Sequence, residues 1–270
     1  MLNICANISW LFREHKFVDR FAAAGEAGFA GVEFHDPEGV DPATVARAAR
    51  DAGVTIALFN ASIGDLVEGG PGLSGVPGRE KEFRTVVAEA CAFGEAIGGG
   101  AVVQIGPSRV PEGTSRSQCF DVYLENLRYA AARLGRVSCQ VMVEPINSVD
   151  LPGVLIPDAV AGLNAIEAAA TKDLGLQFDT YHDRMAGRDV YASMRELAGK
   201  MRHVQFSDVP GRHEPGTGSL DVQEVFRILE QQGYEHWVGA EYLPTGSTEA
   251  SLVWLNEYRE SVERRRPSGT

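Results

Sequence analysis

Short apolar runs alternate along the chain with longer stretches whose apolar residues repeat at helical spacing. The runs are Asn3 to Ile8, Gly31 to Phe34, Thr55 to Phe59, Ala101 to Ile105 and Gln140 to Val143. Leu174 to Phe178, His203–Val204 leading into Gln205, and Trp237 to Ala240 follow. Near-continuous apolarity without alternation marks parallel strands covered on both faces. Between the runs lie stripes such as Phe17, Phe21, Ala24; Phe83, Val86, Val87, Ala90, Cys91; and Tyr123, Leu127, Ala130, Leu134. Later stripes are Val160, Leu163, Ile166; Tyr191, Met194, Leu197; Val222, Val225, Phe226, Leu229; and Leu252, Leu255, Val262. Asp41-Pro42, and Asp221 with Glu224 three residues on, are helix-start signals. Eight strand–helix units in a row predict an α/β fold, a closed (β/α)8 TIM barrel over residues 1–263, with 264–270 (RRRPSGT) as a frayed tail. A doubly wound sheet alternates in the same way. It needs a glycine-rich phosphate turn after its first strand, and Asn7-Ile8-Ser9-Trp10 contains no glycine.

One stretch interrupts the rhythm. Ser62 to Gly78 holds six glycines and two prolines and has no period. It reads as a long strand-to-helix loop at the mouth of the barrel, loose without ligand and ordering as a lid when ligand binds.

Oxygen-bearing side chains stand where the apolar runs end. Glu144 follows the fifth run, Asp179 the sixth, Gln205 the seventh and Glu241 the eighth. In a parallel barrel these ends converge on one face, the face that carries active sites. Three carboxylates together repel one another unless a cation compensates them. Oxygen donors without a thiolate suit Mg²⁺ or Mn²⁺. A metal flanked by two glutamates suits proton transfer beside a carbonyl, as in an aldose–ketose isomerisation or an epimerisation. His182, three residues after Asp179, is placed to contact a substrate oxygen or relay a proton. Arg212, in the loop after the seventh run, is suited to clamp a carboxylate. His35 and Asp36 read as polar loop residues, Gln104 as a rim contact, Asn7 and Asn60 as amides near the pocket, and His203 as structural.

Composition narrows the partners. A net charge of −12 and a pI near 5.0 speak against a nucleic-acid footprint, which needs a basic face. No apolar run reaches the ~18 residues of a membrane span, and MLNICANISW reads as a strand rather than a signal peptide. Cys5, Cys91, Cys119 and Cys139 form no C-x-x-C pair and read as reduced thiols of a cytoplasmic protein. The expected partner is a small-molecule substrate, with a homodimer as a possible assembly.

The same residues carry a resemblance. AN-IS near Asn7, F-GVEF around Glu33, PGRE at Pro77 to Glu80, ENLRYAA at Glu125 to Ala131, and VEPIN at Val143 to Asn147 resemble the hydroxypyruvate isomerase family, within the xylose-isomerase-like barrels. So do D-YH at Asp179 to His182, HEPGTG at His213 to Gly218 and GAEY at Gly239 to Tyr242. The resemblance implies a divalent metal on Glu144, Asp179, Gln205 and Glu241, with Glu144 and Glu241 as the proton-transfer pair. It implies substrate contacts at His182 and Arg212, and interconversion of hydroxypyruvate with tartronate semialdehyde. The chain departs from the family at Leu243, where a lysine is usual, and at His35 to Glu38, where an aromatic, proline-containing stretch is usual. Ketose 3-epimerases, 2-oxo-tetronate isomerases and keto-inositol-processing enzymes use the same barrel. An abasic-site nuclease, which needs several histidine ligands, and a non-catalytic metabolite-binding barrel are the readings from other classes.

Overall fold

The computed structural model describes residues 1–265. Eight parallel strands close into a barrel in sequence order. They are β1 (Asn3–Asn7), β2 (Gly31–Phe34), β3 (Thr55–Asn60), β4 (Val102–Ile105), β5 (Gln140–Val143), β6 (Leu174–Asp179), β7 (Met201–Phe206) and β8 (Trp237–Ala240). Pairing of β1 with β8, from Asn3–Trp237 to Ala6–Ala240, closes the ring and leaves no sheet edge. The surrounding helices are α1 (Asp19–Glu26), α2 (Pro42–Asp51), α3 (Glu80–Ala96), α4 (Arg116–Leu134), α5 (Ala159–Ala169), α6 (Thr180–Met185), α7 (Val190–Glu196), α8 (Val222–Gln231) and α9 (Val253–Arg265).

Local chemistry starts and stops these elements. Asp41 accepts a hydrogen bond from Thr44 N with Pro42 in the first turn of α2. Asp221 accepts from the Gln223 and Glu224 amides at the start of α8. Glu224 does not reach back to complete a capping box, because Arg195 and Arg227 hold its carboxylate. β6 is buried at every position, as a strand between a packed interior and a helical shell must be. Edge-to-face rings fill that shell, with Phe17, Phe21 and Phe34 on one side and Phe206, Phe226, Trp254 and Tyr258 on another.

Three expectations are corrected. Val160 faces solvent; the buried face of α5 is Ala159, Gly162, Ala165 and Ala169. A Cβ on Gly162 would lie 2.8 Å from Pro145, so this helix packs through its small residues, which a hydrophobicity stripe overlooks. α9 continues through Arg264 and Arg265, where fraying was expected. Glu260 and Glu230 pair with these arginines, and residues 266–270 of the expected tail lie outside the described residues. The Ser62–Gly78 loop is tied down rather than loose. Leu66, Leu73 and Val76 are buried, Arg79 bonds Asp65 and the Gly72 carbonyl, and Arg109 and Asn126 hold the carbonyls of Gly70 and Ser74. Its glycines serve close packing: a Cβ on Gly75 would meet Leu155 at 2.5 Å. Only Ser62, Ile63 and Val67 of this segment face the cavity described below.

The loop after β7 is built on one buried carboxylate. Asp208 accepts from the amides of Val209 and Leu220 through Oδ1 and from those of Gly216 and Gly218 through Oδ2. Asp208→Ala would strand these amides, each costing about 1–3 kcal/mol where water cannot replace the acceptor. We expect a stability loss of at least about 2 kcal/mol in urea unfolding.

Candidate active site

Two of the four strand-end residues meet at one cavity, and Asp179 and Gln205 do not line it. Glu144, directly after β5, and Glu241, directly after β8, line a space of 450 Å³ together with Gln104, His182, Arg212 and His35. Asp179 closes β6 and is 3% exposed; its Oδ1 accepts from Tyr181 N and so starts α6, a short helix not visible as a stripe. Glu144, Asp179 and His182 each bring a donor atom within 4.8 Å of the others.

Arg212 binds the acids together. Its Nη2 donates to Asp179 Oδ2 at 2.8 Å and to Glu241 Oε2 at 2.6 Å. The guanidinium sits between the rings of Trp10 and Tyr181, 4.8 Å from each centroid, a geometry that favours a cation. Its backbone has φ +56°, an uncommon conformation for a residue with a side chain and one that clusters at functional sites. Neither ring was singled out in the sequence, since nothing in their spacing connects them to Arg212.

Glu241 has further partners. Its Oε1 lies 2.6 Å from His35 Nε2 and accepts from Asn7 Nδ2 at 3.1 Å. A carboxylate only accepts, so Nε2 of His35 carries the hydrogen. His35, read from sequence as a polar loop residue, thus touches one of the two glutamates. Gln104, read as a rim contact, is buried and donates to Glu144 Oε2 at 2.7 Å.

His182 can be assigned a tautomer. Asn147 Oδ1 accepts from the amides of Val149 and Asp150, so its Nδ2 is the donor end. That Nδ2 lies 2.7 Å from His182 Nδ1, which must therefore accept. The hydrogen of a neutral ring then sits on Nε2, 3.7 Å from Asp179 Oδ2. Burial and the nearby Arg212 take His182 down to about 3, so it is neutral at ordinary pH.

The carboxyls are pushed apart in acidity. Burial, with repulsion from Glu241 and Asp179, raises Glu144 well above the usual carboxylate range. Burial raises Asp179 to about 7 against the pull of Arg212. Burial also opposes the charge on Glu241, but Arg212 and the His35 hydrogen bond outweigh it and hold this group at about 2. The cluster is short of positive charge: among the described residues, Arg212 is the one Arg or Lys side chain lining the cavity.

Gln205 stands level with Asp179 in the β6–β7 register and is 1% exposed. Its Nε2 donates to Glu33 Oε1 at 2.7 Å, and its Oε1 accepts from Gln177 Nε2 at 2.6 Å. A carbonyl oxygen has a second lone pair for a further partner. In the sequence Glu33 and Asn147 stand out only as members of the motifs GVEF and VEPIN. A carboxylate in the apolar run GVEF was the available signal for Glu33, since an acid there must face the barrel interior or the helical shell. Leu243 does not line the cavity; its backbone bonds the Arg212 carbonyl and His213 Nδ1. The donor set fits a divalent cation by its chemistry: oxygen atoms predominate, two of the acids share one guanidinium, and Glu144 has an amide rather than a cation as its partner.

Comparison with known proteins agrees with this architecture. The family model described as xylose isomerase-like TIM barrel matches residues 21–258. A 2-oxo-tetronate isomerase of Cupriavidus necator is 38% identical, over 96% of this chain and 99% of its own. The hydroxypyruvate isomerase of Escherichia coli is 36% identical, over 96% of this chain and 100% of its own. A crystal structure described as AP endonuclease, family 2, from Brucella melitensis superposes with TM-score 0.90 at 36% identity, covering 96% of this chain and 99% of that one. On the closed barrel, the matched residues and these relatives, the chain belongs to the xylose isomerase-like TIM barrel family.

Proposed function

We propose that this protein is a divalent-metal-dependent isomerase of small hydroxy-oxo acids, interconverting hydroxypyruvate and 2-hydroxy-3-oxopropanoate (tartronate semialdehyde). The observation that carries the reading is a pair of buried glutamates, Glu144 and Glu241, lining one cavity beside Arg212, which joins Glu241 to the buried Asp179 behind it. Glu144, Asp179, Gln205 and Glu241 would hold Mg²⁺ or Mn²⁺ through oxygen. When bound, the cation polarises the substrate carbonyl and favours the enediolate. Glu241, held ionised, takes the proton from the hydroxyl-bearing carbon. Glu144 is ionised too beside a bound cation, so the protonated carboxyl of the pair returns the proton to the neighbouring carbon while the hydroxyl proton passes between the two substrate oxygens, and the glutamates exchange roles in the reverse direction. His182 offers Nε2–H to a substrate oxygen, and Arg212 takes the carboxylate.

A second substrate has a specific observation in its favour. The 450 Å³ cavity is larger than a three-carbon acid needs, and one relative is named for 2-oxo-tetronate, so the four-carbon acid belongs in the same assay. The nuclease description of the Brucella relative finds less support, since only His35 and His182 of the six histidines line the cavity. The test is turnover on a panel of short oxo acids and ketoses, before and after chelation. Activity on an oxo acid, abolished by chelation and restored by Mg²⁺ or Mn²⁺, is the expected result. Full activity in metal-stripped protein would overturn the metal reading.

Cation affinity should depend on pH in a defined direction. Asp179 titrates near 7 and Glu144 is raised too, so below these values a proton occupies the donor oxygens and competes with the metal. Mn²⁺ affinity should climb from pH 5 to pH 7 by about tenfold per pH unit for each proton displaced, then level off. A flat profile in isothermal titration would mean that these carboxyls are not the ligands.

A further inference from the structure

One fully buried carboxylate is not used by the chemistry above. Glu33, on β2, is 0% exposed. Its Oε1 accepts from Gln205 Nε2 at 2.7 Å and from Asn7 Nδ2 at 3.1 Å. Its Oε2 lies 2.7 Å from His203 Nε2 and 3.4 Å from Cys5 Sγ. The strand next to β1 makes room for it: a Cβ on Gly239 would fall 2.3 Å from Glu33 Oε2. Barrel interiors are ordinarily filled with branched apolar side chains. Such packing is often as stable as a buried charge with its partners, or more so. Packing therefore does not explain an acid here, and its donors do.

Two of those donors lead to the site. A carboxamide fits its space almost equally well in either of two orientations, related by a half turn, with oxygen and nitrogen exchanged. A carboxylate accepts only, so Glu33 forces the NH2 of Gln205 toward itself and turns Oε1 away, where it meets Gln177 Nε2 and keeps a lone pair. Asn7 is fixed likewise. Its Oδ1 takes the Ser9 amide, one N–H goes to Glu33, and the other goes to Glu241 Oε1. One oxygen of Glu33 thereby sets the orientation of Gln205 and, through Asn7, braces Glu241.

We infer that Glu33 is a positioning residue of the cation site: it fixes the Gln205 carboxamide with its oxygen available as a ligand and holds Glu241 in place through Asn7. This inference rests on the proposed ligand set. Without Glu33, Gln205 is free to turn its NH2 toward the cation, which removes an oxygen donor and sets N–H dipoles against a positive charge.

The test is Mn²⁺ binding to the purified full-length protein without substrate, followed by electron paramagnetic resonance. Glu33→Met keeps the side-chain length and removes both acceptors. Binding should weaken by about 10–100-fold, as when a group orienting a metal ligand is removed. The visible bands of the Co²⁺-loaded protein should intensify as one oxygen ligand is lost, a change that mere loosening of the fold does not produce. The exchange Glu33→Gln with Gln205→Glu is the second arm. Glu at 205 offers oxygen in either orientation, and Gln at 33 can donate to it; the same NH2 then faces Asn7, so this double variant should recover the part of the affinity that comes from residue 205 and stand between Glu33→Met and the unaltered protein. It preserves size and charge, and so keeps the inference testable if Glu33→Met does not fold. Wild-type affinity and an unchanged Co²⁺ spectrum in folded Glu33→Met would overturn the inference, and so would a folded double variant that binds no better than Glu33→Met. Absence of Mn²⁺ binding in the unaltered protein would instead overturn the ligand set itself, a result distinct from these.

Discussion

Glu241→Gln is expected to lower kcat/KM by about 10²–10⁴-fold, the usual worth of a positioned acid–base group, with a comparable loss for Glu144→Gln. The two glutamates are not equivalent in their surroundings. Glu241 is kept ionised at about 2 by Arg212 and His35 against the cost of burial. Glu144 is raised by burial and by the charges of Glu241 and Asp179, with only Gln104 donating to it. Before a cation binds, such a pair differs in its hold on a proton at one pH. The Gln variants keep an oxygen toward the site but neither take nor give a proton at carbon. Metal content must be measured beside the rate, because both residues are proposed ligands. Solvent deuterium should enter the carbon position during turnover if exchange competes with transfer, and that incorporation should vanish in both variants. If Glu241→Gln retained its metal and near-normal turnover on the true substrate, Glu241 would not be the base. Glu144, relayed through His182, would then have to move the proton.

The barrel was legible because its strands are buried on both faces and so spell out continuous apolar runs. The acids were legible because they stand at matching ends of successive apolar runs, although Asp179 also serves to start α6. What escaped the sequence depends on contacts between residues far apart in the chain. Trp10 and Tyr181 stack on Arg212, yet no periodicity connects the loop after β1 with α6 and the loop after β7. His35 meets Glu241 only because β2 and β8 flank the same strand. Glu33 was hidden by a four-residue strand too short to show which of its faces points inward. The loop from Ser62 to Gly78 misled for a different reason. Glycine permits both mobility and close approach, and composition alone does not distinguish them; Arg79, Arg109 and Asn126, which bind that loop, lie beyond it in sequence.

Arg212→Lys should cost about 10²–10³-fold in kcat/KM, the scale seen when a fixed donor at a developing or bound negative charge is lost. Lysine keeps the charge but loses the delocalised guanidinium, whose Nη2 reaches both Asp179 and Glu241 while its carbon lies 4.8 Å from the ring centroids of Trp10 and Tyr181. Two roles are compatible with this geometry, and the variant separates them. If the guanidinium binds the substrate carboxylate, turnover of an oxo acid should fall far more than turnover of a neutral ketose of equal length, with much of the loss in KM. If it serves only to neutralise the acids, both substrates should suffer equally. The second role also has its own readout. Arg212→Met leaves Asp179 and Glu241 without their shared partner, and removal of one member of a buried pair costs about 3–5 kcal/mol. Unfolding midpoints of Arg212→Met should therefore drop in the presence of a chelator and recover when Mg²⁺ or Mn²⁺ is added, because a second cation between the carboxylates replaces the charge that was taken away. Equal stability of this variant with and without the cation would show that the acids are not held together by positive charge, and the metal site proposed on them would fall with that result.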